Sequence, residues 1–235
     1  MRPIRGGLCS VWGERLPVPF VVSAVPGEPR CRLCRRAEPP YAKAIAYGSY
    51  DGGLRELIHL LKYERVRPAA NVLGRMLAEI IAELEPAFSE TTVLVVPIPL
   101  HSATRRERGF NQSELMARAA LKQRRAGDRL KLDPDILERS RITQSQIGLS
   151  RHQRRENIRG AFTVVKPDEV AGREVFLIDD VFTTGTTVSE CARILRRAGA
   201  SKVFVATAAR TLKSDAAYAQ SNLEVEPRMA MAAAG

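Results

Sequence analysis

Asp179 and Asp180 are adjacent acids that follow the apolar run Val175-Phe176-Leu177-Ile178, and Val181-Phe182 then leads into Thr183-Thr184-Gly185-Thr186-Thr187. Four hydroxyls, a run of backbone N–H groups and a glycine free to take φ > 0 make an anion cradle. The residues beyond it, Val188, Cys191, Ile194, Leu195 and Ala198, have helical spacing, so a phosphate here would sit on a helix N-terminus. An acidic pair accepts hydrogen bonds from vicinal hydroxyls or holds a divalent cation through water. A ribose 5-phosphate offers both groups. The apolar run predicts a strand covered on both faces that the two acids end, at the point where it runs out into solvent.

This arrangement of apolar strand, two acids and TTGTT opening a helix resembles the signature of type I phosphoribosyltransferases. The resemblance implies that Asp179 and Asp180 contact the ribose hydroxyls and support a magnesium shell. It also implies that Thr183, Thr184, Gly185, Thr186 and Thr187 hold the 5-phosphate of phosphoribosyl diphosphate.

Upstream, Thr92 to Val96 is a short apolar run read as a core strand that leaves through Pro97-Ile98-Pro99. The stretch LHSATRRERGFNQ reads as a loop carrying Arg105, Arg106 and Arg108 before a helix from about Asn111. Guanidinium groups pair phosphate oxygens bidentately and keep their charge, so the three form a candidate seat for departing diphosphate. Ala44 to Tyr50 is read as a strand, Leu54 to Leu61 and Ala69 to Leu84 as helices with one apolar face, and Lys202 to Thr207 as a further core strand. Lys62, at a helix end, is read as a solvated cap rather than a phosphate ligand.

VVPIPLHSATRRERGFNQSELMARA, RITQSQIGLSRHQRRENIRGAF and the Asp179 to Thr187 stretch together resemble, in order, the signature blocks of the ComF family. LRELIHLLKYERVRPAANVLG is similar to that family's N-terminal helical block. These are phosphoribosyltransferase-like competence proteins of the ComFC/GntX type, and the likeness spans about residues 9 to 212. It implies a small zinc-ribbon piece fused to a phosphoribosyltransferase domain and a role in DNA uptake during natural transformation beside a helicase partner. The alternative is a non-catalytic protein that senses phosphoribosyl diphosphate or binds single-stranded DNA.

Cys31-Arg-Leu-Cys34 has the spacing of half a zinc ribbon, and Cys9-Ser-Val-Trp12 resembles the other half with Trp12 where a cysteine would stand. Cys9, Cys31 and Cys34 thus offer three thiolates for four positions, an incomplete zinc site in a truncated or degenerating N-terminal segment. Cys191 falls on an apolar helix face and reads as core.

Residues 139 to 162 carry Gln144, Gln146, Arg151, Arg154, Arg155, Asn157 and Arg159 around few apolar anchors. That composition suits either a mobile lid or a face for nucleic-acid phosphates, with Arg151, Arg154 and Arg155 the candidates. Composition agrees with polyanionic ligands: 37 Lys+Arg against 26 Asp+Glu leave a net charge of +11. No apolar run approaches the roughly 20 residues that span a bilayer, and the N-terminus lacks the apolar stretch of a signal peptide, which predicts a cytoplasmic protein without membrane insertion. The expected organisation is a degenerate zinc-ribbon-like segment over 1–40, an α/β domain of the type I phosphoribosyltransferase fold over 41–212, with a parallel sheet of about five strands and helices on both faces, and a disordered tail over 213–235.

Overall fold

The computed structural model describes residues 4, 7–16, 29–89, 92–124, 129–143 and 150–212, without the side chains of Leu33 and Arg151. Gln144, Gln146, the Arg151 side chain and the expected disordered tail therefore lie outside the described residues.

The organising strand is β6 (Glu174–Phe182). Its neighbours are β7 (Lys202–Arg210) and β2 (Val93–Pro97), and β1 (Lys43–Ser49) and β3 (Leu130–Leu132) close the two edges. The order β1-β7-β6-β2-β3 is parallel throughout. The continuous apolar composition of β2 and β6 follows from that position, because central strands of a parallel sheet are covered on both faces.

Alternation along β6 divides the core into two layers. Phe176 and Ile178 pack with α2 (Gly52–Lys62), α3 (Ala69–Leu84) and α5 (Gln112–Leu121). Val175 and Leu177 pack on the other face with α8 (Thr186–Arg197) and with Cys9, Trp12, Cys31 and Cys34 of the N-terminal segment. Burying each such side chain stabilises by about 1.5 to 3 kcal/mol. Gly74 permits α3 to lie close on α5, since a Cβ there would come within 2.5 Å of Ala119 Cβ.

A separate antiparallel pair, β4 (Leu137–Arg139) and β5 (Phe162–Val164), precedes β6. Between its strands runs α6 (Arg151–Ile158), started by a capping box in which Ser150 and Gln153 satisfy each other's backbone N–H. The remaining helices are α1 (Arg32–Arg36) in the cysteine segment, α4 (Ser102–Arg108) after β2 and α7 (Pro167–Val170) before β6. No helix among the described residues is long and apolar enough to cross a membrane.

Two sequence expectations change here. The acids do not end β6: the strand continues to Phe182 because β7 goes on pairing with it, Asp179 opposite Thr207 and Phe182 opposite Arg210. The arginine-bearing stretch after β2 is not a loop but the two-turn helix α4. Its N-terminus is capped by the His101 ring, which accepts from Ala103 N, and its end is set by Gly109 in the left-handed region.

Candidate functional site

Because β6 stays in the sheet, its two acids are held by the fold rather than by solvent. Asp180 is buried, and Lys62, at the last turn of α2, places Nζ 2.5 Å from Asp180 Oδ2. Lys62 is therefore not a solvated cap. Its position above the carboxyl end of the sheet lets it reach inward, where an unpaired carboxylate would be costly. Burial works against the lysine's charge, but the neighbouring Asp180 outweighs it and the pKa is raised. Sequence reading singled out this residue but took it for a cap, although a lysine closing a helix that packs beside the acid-bearing strand is the available signal.

Asp179 is half-buried. Its Oδ1 accepts from Asp180 N at 2.9 Å and from Ser113 Oγ at 3.1 Å, and Ser113 lies in the first turn of α5. Burial and then the charge of Asp180 push its pKa up to about 7, against the opposing pull of Lys62, the Asp180 N–H and the Ser113 hydroxyl. Arg139, at the end of β4, adds positive potential to Asp179, and its Nε is buried without a hydrogen-bond partner among the described residues. Burial lowers the Arg139 pKa. Ser113 and Arg139 are further residues that composition did not single out.

Directly beyond β6 the chain turns through Thr183 and Thr184 to Gly185, which has φ 71° and stands at the start of α8. A Cβ on Gly185 would lie 2.5 Å from the Phe182 ring, so this position needs glycine on both conformational and steric grounds. Thr184 Oγ1 and Thr186 Oγ1 are 2.8 Å apart, and Ser189 N donates to Gly185 O to begin the helix. The loop thus sets hydroxyls around a 12-residue helix's N-terminus, a site suited to a phosphate.

The three arginines of α4 differ in their surroundings. Arg105 reaches Glu114 at 3.4 Å, and Arg106 is exposed with no partner among the described residues. Arg108 donates to Gln112 Oε1 at 2.6 Å and lies 5.8 Å over the Tyr63 ring. Since Tyr63 follows Lys62, Arg108 is the member of the group tied to the acid pair's surroundings. Of the arginines read as nucleic-acid candidates, Arg155 is exposed, whereas Arg154 is half-buried and has an interaction of its own.

Cys9, Cys31 and Cys34 are brought together as their spacing predicts: their sulfurs lie within 4.8 Å of one another, all buried. The Trp12 indole Nε1 donates to Cys31 Sγ at 3.0 Å. Hydrogen bonding with Cys31 holds the Cys9 thiol down at about 5, and burial together with the charge of Cys9 pushes Cys34 up to about 11. Three sulfurs fit three corners of a thiolate zinc site. The indole cannot ligate, so the fourth ligand is missing among the described residues.

Comparison with known proteins places the chain by sequence. The family model for the phosphoribosyl transferase domain matches residues 62–222. The DNA utilization protein YhgH of Escherichia coli O157:H7 is 33% identical over 183 residues, covering 77% of this chain and 78% of its own. Competence protein F of Haemophilus influenzae is 31% identical over 177 residues, covering 74% of this chain and 76% of its own. Among solved structures, a hypoxanthine phosphoribosyltransferase from Staphylococcus aureus aligns over 63% of this chain and 75% of its own at 14% identity and a TM-score of 0.38.

Asp179 makes stability depend on pH. With a folded pKa near 7 against roughly 4 when unfolded, the native state holds the extra proton between those values, so stability falls as pH rises through that window. Asp179→Asn removes this loss. Its melting temperature relative to wild type is expected to rise between about pH 4 and pH 7, the range set by these pKa values. Circular dichroism melts at several pH values check this, and a constant difference contradicts it. For the cysteine cluster, elemental analysis of purified protein is expected to give less than one zinc per chain, easily removed by chelator, with Trp12→Cys tightening retention.

Proposed function

Because this chain belongs to the phosphoribosyl transferase domain family, in its ComF branch, we propose that it binds phosphoribosyl diphosphate with magnesium at the carboxyl ends of β2 and β6. The observation that supports this best is the continuity of the Lys62-backed acid pair with the Thr183 to Thr187 loop on one strand-to-helix connection. The acids accept the ribose hydroxyls, and the loop and helix N-terminus hold the 5-phosphate. Arg105, Arg106 and Arg108 approach the diphosphate.

The reaction class that suits these groups is pentosyl transfer: a nitrogen nucleophile displaces diphosphate from C1 of the ribose through an oxocarbenium-like transition state. Asp179 and Asp180 orient the ring, and the α4 arginines stabilise the negative charge that builds on the leaving group. Magnesium, held through water by Asp179 and Asp180, would neutralise diphosphate charge when bound. Lys62 pairs with Asp180 and holds it in place.

A second reading keeps the same site as a sensor in a DNA-handling protein acting with a DNA-uptake helicase. The relatives' names, DNA utilization protein and competence protein F, favour it, as does the net charge of +11. On this reading single-stranded DNA binds weakly and without sequence preference, through Arg151, Arg154 and Arg155 among others.

Titration calorimetry is expected to show binding of phosphoribosyl diphosphate that magnesium strengthens and that Asp179→Asn with Asp180→Asn abolishes. Unchanged affinity in the double variant overturns the assignment of the acids. Magnesium-dependent diphosphate release with nucleobases, amines or water then separates enzyme from sensor.

A further inference from the structure

A groove of about 920 Å³ opens beside the phosphate loop, with Thr184 and Thr186 among its lining residues. Arg155 and Arg159 line it from α6 and the residues just after it, Arg197 from the end of α8, and Arg36 from the end of α1. The groove carries five arginines and three glutamates, but most of the acid is already committed. Glu190 is taken by Arg193 at 2.6 Å and by Gly160 N at 2.9 Å, and Glu38 pairs with Arg30 at 3.2 Å. Arg36, Arg155 and Arg159 have no ion pair among the described residues, and Arg197 acts on Glu190 only through space.

One phosphomonoester in the threonine loop leaves these guanidinium groups without a counter-charge. They line the same groove as Thr184 and Thr186, which suits it to phosphates beyond the first. The groove's aromatic residues, Trp12 and Tyr41, are only 8% and 5% exposed, so no ring is available for base stacking. Recognition here is of backbone charge rather than sequence.

We propose that the groove holds the phosphodiester backbone of a single nucleic-acid strand whose 3′-terminal nucleotide sits in the phosphoribosyl site. This rests on the reading that Thr183 to Thr187 hold a ribose 5-phosphate and that the acid pair holds the ribose hydroxyls. The polarity follows from chemistry. The 5′-phosphate of a terminal nucleotide is a diester, so its second ester leads out of the loop into the groove, and the preceding phosphates meet Arg155, Arg159, Arg197 and Arg36. The acids then face the strand's free end, where a 2′,3′-diol donates to both carboxylates and an end without those hydroxyls forfeits these hydrogen bonds.

The test uses fluorescence anisotropy on the full chain with a labelled oligodeoxythymidine about 12 nucleotides long, within the span of single-strand grooves. One version ends in a 3′-terminal ribonucleotide, one in a 2′,3′-dideoxynucleotide, and one is circular. The diol-ended strand is expected to bind about tenfold or more tightly than the other two, as loss of charge-assisted hydrogen bonds requires. Phosphoribosyl diphosphate should displace it. Arg155→Gln with Arg197→Gln should weaken every strand and reduce the salt slope by about 1.4, the single-strand value for two lost charges. These arginines are exposed, and unchanged melting confirms that the variant folds. Equal affinity for circular and diol-ended strands overturns the proposal, as does an unmoved salt slope. If phosphoribosyl diphosphate binds on its own but no strand end is preferred, this inference alone fails. If the diol end is preferred and phosphoribosyl diphosphate does not bind, the end-seated strand stands and the phosphoribosyl diphosphate reading fails.

Discussion

Lys62 Nζ lies 2.5 Å from Asp180 Oδ2 at the carboxyl end of the central strand, where both side chains are largely out of water. A buried carboxylate without a partner costs several kcal/mol, and that penalty would favour peeling the end of β6 away from β7. With Lys62 in place the strand runs on through Asp180 to Phe182, and the threonine loop starts from a fixed point. The same pairing shapes the state of Asp179. One lysine offsets one acid, so burial and the neighbour's negative charge raise the pKa of the second acid to about 7. A ligand that brings magnesium or several hydroxyl donors would relieve that tension, which supports the proposal that the acid pair binds one.

A second buried charge joins the cysteine segment to the same strand end. Arg210, the last residue of β7, is 2% exposed, pairs with Glu14 at 2.9 Å, donates to the carbonyl of Trp12, and lies 5.6 Å and 5.3 Å from the ring centroids of Trp12 and Phe182. Trp12 meets Phe182 edge-on at 5.5 Å, and the Phe182 ring packs directly beneath Gly185. The indole beside the three thiols thus works as packing: it donates to Cys31 Sγ on one side and supports the base of the threonine loop on the other. The segment is held to the sheet by cation–π contact and a desolvated ion pair, neither of which requires a metal.

Much of this was legible in the residues because period and punctuation agreed. The helix over Ala69–Leu84 shows as an apolar stripe, β6 as an unbroken apolar run, and the loop as threonines around a glycine. The thiol cluster followed from cysteine spacing alone. What could not be read depended on partners distant in sequence. The length of β6 is set by β7, which continues to Arg210, and the fate of Lys62 is set by an acid more than a hundred residues away. The short α4 was hidden because a seven-residue helix shows barely two turns of period, and its cap is a histidine rather than a serine or aspartate. The groove beside the loop assembles from α1, α6 and α8, so its arginines look scattered along the chain.

Carbon-13 NMR of labelled aspartate carboxyls reads the charge state of the acid pair directly. The Asp179 carboxyl, assigned by its loss in Asp179→Asn, should titrate with a midpoint of about 7 in the free protein. Adding magnesium and phosphoribosyl diphosphate should lower that midpoint, because positive charge and hydroxyl donors favour the ionised form. A midpoint near the ordinary aspartate value of about 4, unmoved by the ligand, would contradict the claim that burial and Asp180 hold this site in tension until it is filled.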